Sequence, residues 1–140
     1  MEKYAKSSAI AAGLPVQNFK FIQAVGEALP LADASADAVV GTLVLCSVGD
    51  VNLTLKEVKR VLKPGGLYLF VEHVAAKGSS LRFIQSILNP LQQTVADGCH
   101  LTRETGKHIS EAGFSNLKLS LTFLSNALLI NPHIYGIAYK

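Results

Sequence analysis

A chain of 140 residues, 49% hydrophobic and 16% charged, is long enough for one domain with a buried core and too apolar for intrinsic disorder. Thirteen Lys and Arg against ten Asp and Glu leave a net charge of +3 scattered along the sequence, which excludes a concentrated basic face for nucleic acid. The longest apolar stretch, residues 38–48, is shorter than the roughly 18 residues a membrane-spanning helix needs, so no span is expected.

Glu2 and Lys6 stand in the favourable i, i+4 order, Tyr4, Ala5, Ala9 and Ile10 supply an apolar side, and Gly13 with Pro15 supplies a stop, which predicts a helix over 2–12. Residues 19–22 read as a short strand and 26–37 as a loop. Residues 38–45 are continuously apolar and β-branched, the pattern of a strand in a parallel sheet with both faces covered. Asp50 or Asn52 caps a helix whose inward stripe is Leu55, Val58, Val61 and Leu62, and Lys63-Pro64-Gly65-Gly66 ends it. Residues 67–71 form a second buried strand, completing a right-handed, parallel βαβ unit. Ser79 or Ser80 caps a further helix with Leu81, Ile84, Ile87 or Leu88, and Leu91 inward, kinked or broken at Pro90. Thr102 caps another that runs to Ala112 and closes at Gly113. Alternation over 117–121 and 135–139 predicts two half-covered strands, an antiparallel pair at the sheet edge.

In such sheets ligands bind beyond the carboxyl ends of the parallel strands, here residues 24–30, 42–49 and 72–74. Gly26 lets a backbone amide approach a flat ligand and Glu27 can accept a hydrogen bond, although an ordinary turn has the same spacing. Thr42, Cys46 and Ser47 put small polar groups into an apolar run, which suits a ligand or a helix cap. Glu72 and His73 offer an acid and a base, yet neighbours on a strand point to opposite faces. Asp97-Gly98-Cys99-His100 gathers a carboxylate, a thiol and an imidazole, with a capped loop as the simpler reading of the same residues. His108 and His133 read as surface or packing residues. Cys46 and Cys99 lack Cys-x-x-Cys or paired-His spacing, which argues for two reduced thiols and against a disulfide framework or a structural zinc site. There is no G-x-G-x-x-G, G-x-x-x-x-G-K, H-E-x-x-H or G-x-S-x-G.

Several stretches resemble the class I S-adenosylmethionine-dependent methyltransferases. Gly26-Glu27-Ala28-Leu29-Pro30 looks like the loop after that family's third strand, Asp37-Ala38-Val39-Val40 like its fourth strand, and Glu57 to Gly66 like the helix and turn before its fifth. Thr42 to Val48, Glu72-His73-Val74, Asp97 to Glu104 and Pro132 to Gly136 are similar to the methyltransferase-like thiol S-methyltransferases and their plant relatives. The resemblance implies an α/β, Rossmann-like sheet of family order 3-2-1-4-5-7-6 and a single partial domain over 1–140. That domain lacks the first two strands, with their glycine-rich loop and ribose-binding acidic residue, and ends in an antiparallel strand pair. It implies S-adenosylmethionine as cofactor, contacted by Gly26, Glu27, Thr42 and Leu43, with Val25 where many relatives have an aspartate toward adenine. His73, Asp97 and Cys99 match the region facing the acceptor, a small molecule such as a thiol; no catalytic base and no metal are implied. The relatives are intracellular and membrane-associated or organellar. Without the central strands, residues 39–45 become an open edge unless the third strand closes against it, and a non-catalytic chain that associates with itself or a partner through that edge is the alternative function. A reductase-type nucleotide enzyme is disfavoured by the Lys63-Pro64-Gly65-Gly66 turn and Glu72-His73.

Overall fold

The computed structural model describes residues 2–125 and 130–140; Met1, where the resemblance begins, lies outside them. Helix α1 (Glu2–Ala11) is followed by a one-turn 3-10 helix (Val16–Asn18), strand β1 (Ala36–Thr42), helix α2 (Val51–Val61) and strand β2 (Leu62–His73). Helices α3 (Ser79–Val95) and α4 (Thr105–Glu111) and strands β3 (Asn116–Thr122) and β4 (His133–Tyr139) complete the chain. The sheet order is β1-β2-β4-β3, with β1 and β2 parallel and β4 antiparallel to both neighbours. The order and the βαβ unit agree with the sequence reading, as does the terminal antiparallel pair.

Asp50 caps α2, its carboxylate accepting from the N–H groups of Asn52 and Leu53. Buried Leu55 and Val58 press that helix onto Tyr68 and Phe70, and Ile109, Ile134 and Ala138 close the core from the α4 side. The ladder between β1 and β2 jumps from Leu62 to Leu67, so Lys63–Gly66 bulges outward, with Gly65 at φ +76°. Leu62 therefore opens β2 instead of ending α2.

Other expectations fail for identifiable reasons. Residues 19–22 form no strand; Phe19 is extended, but no ladder partner lies beside it among the described residues. β1 stops at Thr42, three residues early, because Leu43 turns to φ +54° and the next two amides are captured elsewhere. Only one sheet face is covered among the described residues, since α2 and α4 share it; Val40, on the other face, is 70% exposed and Val71 is also exposed. Helix α3 runs unbroken through Pro90 and is preceded by Gly78, not capped by a serine. Its apolar stripe faces outward at Ile84, Ile87 and Leu91, because the helix is anchored by polar groups: buried Gln85 accepts from Ala76 N–H and donates to Asn131 O, and Asn89 accepts from Leu101 N–H. Thr102 caps nothing; Arg103 O accepts from Ala75 N–H in the same stretch, and α4 begins only at Thr105. No helix among the described residues is long and apolar enough to cross a membrane.

Candidate functional site

The parallel pair β1 and β2 ends at a buried carboxyl group. Glu72 is fully buried, and its Oε1 accepts from Val44 N–H at 2.9 Å and Leu45 N–H at 3.0 Å. Burial raises its pKa, against the lowering effect of these amides, and its Oε2 has no partner. The two captured amides curl residues 43–48 over the strand ends, which turns Cys46 inward. Leu43 pays for this curl with a left-handed backbone.

His73, next along β2, points the other way, so the Glu72-His73 pair does not act as one unit. Its imidazole is 1% exposed, and burial holds its pKa down at about 4, keeping the ring neutral at physiological pH. The loop after α3 comes back to meet it. Asp97 at φ +46° and Gly98 at φ +80° reverse the chain, and Cys99 N–H and His100 N–H bond to Ala96 O and Cys46 O. Cys99 Sγ consequently lies 3.8 Å from His73 Nδ1, so its imidazole partner is His73 and not the adjacent His100. The ligand atoms of Cys46, His73 and Cys99 all lie within 4.8 Å of one another.

Leu43, Cys46, Ser47, His73, Asp97 and Cys99 line one cavity of about 400 Å³. Three of the expected site residues, His73, Asp97 and Cys99, thus meet Leu43 in one place. Gly26, Glu27 and Thr42 do not line it. Glu27 Oε1 accepts from Asp50 N–H at 2.9 Å, and that backbone bond first of all keeps its carboxylate below the ordinary range. A Cβ on Gly26 would stand 3.0 Å from Thr54 Cγ2 and 3.1 Å from Val48 Cγ1, so the turn lies flush against α2. Thr42 is exposed at the end of β1, and Val25 is exposed beside Gly26.

Two positioning groups were not foreseen. Arg103 donates through Nη1 to Leu45 O at 2.7 Å and Val48 O at 2.8 Å, fixing a half-buried cation that interacts electrostatically with Cys46, Cys99, Asp50 and Glu27. Arg60 holds the 29–33 stretch through Leu29 O, Leu31 O and Asp33, while its partner Glu57 accepts from Leu29 N–H. His108 stays at the surface beside Asn52, and His133 is buried, its ring edge-on to His73 at 6.4 Å.

A family model described as a methyltransferase domain matches residues 1–70. The chain is 45% identical over 142 residues to the human thiol S-methyltransferase TMT1A, an alignment covering 99% of this chain and 58% of that protein. The rat thiol S-methyltransferase TMT1B is 46% identical over the same shares. The chain therefore spans less than two thirds of the length of these relatives. A SAM-dependent methyltransferase from Methanosarcina mazei superposes at a TM-score of 0.66 with 22% identity, covering 94% of this chain and 74% of that one, which speaks for the fold alone.

Proposed function

Because the chain belongs to the methyltransferase domain family, we propose that it builds the acceptor side of an S-adenosylmethionine-dependent methyl-transfer site whose substrate is a small thiol. The observation that carries this reading is the cavity at the carboxyl ends of β1 and β2, which joins Leu43 to His73, Asp97 and Cys99. The thiol S-methyltransferases at 45–46% identity support the acceptor class.

The residues present fit the nucleoside end of the cofactor. A carboxylate held below the ordinary range by backbone N–H groups at Glu27, next to Gly26, suits hydroxyl or amino donors. Thr42 and Leu43 would hold the methionyl part. When bound, S-adenosylmethionine supplies an electrophilic sulfonium methyl group. The protein's own share is alignment and charge: Arg103 fixes a cation near the cavity that favours a thiolate over a thiol, and the curled 43–48 segment sets the wall against which the acceptor lies. His73, its pKa held down at about 4 by burial, is too weak a base to deprotonate an ordinary thiol, so the acceptor enters as the thiolate, already ionised in bulk solvent.

Calorimetry with S-adenosylmethionine and S-adenosylhomocysteine, followed by mass detection of methyl thioethers from small thiols, tests this. Micromolar binding, about −8 kcal/mol, with product formation is expected; absence of both overturns it. Among the described residues β1 is an edge strand paired only with β2, which favours a second reading, a non-catalytic chain that associates through that edge. A solution mass above that of one chain, without cofactor binding, supports it.

A further inference from the structure

The cluster of Cys46, His73 and Cys99 has a chemistry that methyl transfer does not use. We propose that these three side chains form a binding site for one thiophilic divalent cation, Zn²⁺, with its fourth coordination position open to the cavity at the strand ends. Tetrahedral zinc, with bonds of about 2.3 Å to sulfur and 2.0–2.1 Å to nitrogen, sets ligand atoms roughly 3.6–3.8 Å apart. Cys99 Sγ and His73 Nδ1 already stand at 3.8 Å, and the three ligand atoms lie within 4.8 Å of one another. Closing round an ion asks for adjustments of 1 Å or less.

Three further observations point to a ligand. His73 is 1% exposed, and its ring turns Nδ1 toward the Cys99 thiol and leaves Nε2 without a partner among the described residues. Glu72 Oε2 is a buried carboxyl oxygen without a partner, on the side chain whose Oε1 holds the segment that carries Cys46. Finally, Leu43 and Asp97, two of the three non-glycine residues with positive φ among the described residues, line the same cavity and turn the chain so that the two thiols face each other. Left-handed backbone at a leucine is costly, and such strain concentrates at functional sites.

The site is tested on the reduced, metal-free chain, with no reference to methyl transfer. Cobalt(II), a spectroscopic stand-in for zinc, is titrated in, then displaced by zinc. Expected are one equivalent per chain, a sulfur-to-cobalt charge-transfer band, and at least tenfold weaker binding in Cys99→Ser, about 1.4 kcal/mol. Cys99 is only half-buried, so this variant keeps its fold, which circular dichroism verifies. Zinc is also expected to slow alkylation of both thiols. A cobalt spectrum without charge transfer, uptake unchanged in Cys99→Ser, or alkylation rates indifferent to zinc each overturns the proposal.

Discussion

Glu72 holds the segment on which the site depends, and its removal is calculable. In Glu72→Ala the N–H groups of Val44 and Leu45 lose their acceptor. Leaving a buried donor unsatisfied costs about 1–3 kcal/mol. Leu45 is 1% exposed and bears the full penalty, whereas exposed Val44 recovers part of its loss from water. The expected total is about 2–4 kcal/mol, a large share of the roughly 5–15 kcal/mol that holds a domain together. Urea unfolding followed by circular dichroism reads this as a midpoint lowered by about 1–2 M at ordinary m-values. Glu72→Gln keeps an acceptor oxygen in place and is expected within about 1 kcal/mol of the parent. The pH dependence separates charge from geometry. Burial raises the folded-state pKa of Glu72 above the unfolded value of 4.5, so the stability it contributes is complete below pH 4.5 and is lost as pH rises through the folded value. Parent stability should therefore fall relative to Glu72→Gln as pH rises above 4.5. If Gln destabilises as much as Ala, or the two pH profiles run parallel, the account of this carboxyl group is wrong.

Glu57 behaves in the opposite sense: its hydrogen bonds with Arg60 and then Leu29 N–H hold its pKa at about 2, so its contribution is present above pH 4.5 and disappears as pH falls toward 2. Glu57→Gln should flatten the acid limb of a urea-midpoint profile and speed proteolysis within 29–33. In Gly136→Ala the new methyl would overlap the Lys118 carbonyl and come within 2.8 Å of Phe70 Cζ, forcing the central strand β4 to shift. A loss of about 1–3 kcal/mol is expected, read as a thermal midpoint lower by at least about 3 °C. Val40→Lys, on the bare face, should change stability by less than about 0.5 kcal/mol while reducing self-association in sedimentation velocity; unchanged association would remove this face from the contact.

Local signals read well from the sequence because their causes lie within a few residues. The Asp50 cap, the stripe of α2 and the end of that helix before Lys63-Pro64-Gly65-Gly66 each depend on neighbours in the chain, although those four residues bulge within β2 instead of preceding it. Boundaries set from afar did not. β1 is cut at Thr42 by a carboxyl group 28 residues away in Val44's hydrogen bond, and no propensity at 43–45 announces it. In α3 the apolar spacing is correct for a helix, but periodicity does not say which face is held; Gln85 and Asn89 take the inward side, and Ile84, Ile87 and Leu91 are left outside while Leu81 and Leu88 are half-buried. The same limit explains 38–45, where a continuous apolar run predicts two covers and the described residues provide one.

The site divides along a similar line. Cys46 and His73 follow two parallel strands of one βαβ unit, so topology alone sends both to the same end of the sheet, whatever their separation in the chain. Counting spacings in search of Cys-x-x-Cys could not reveal this, since that pattern finds ligands carried on one local turn. Cys99 is harder, for it follows a helix and reaches His73, 26 residues away, only because Asp97 and Gly98 reverse the chain in left-handed conformations. Asp and Gly are among the residues that most readily adopt that conformation, and their succession just before Cys99 is the trace the sequence carries of the reversal. A search that collects metal-ligating side chains by strand end, and adds those that follow a residue pair able to turn back, would join Cys46, His73 and Cys99 before any coordinates are seen.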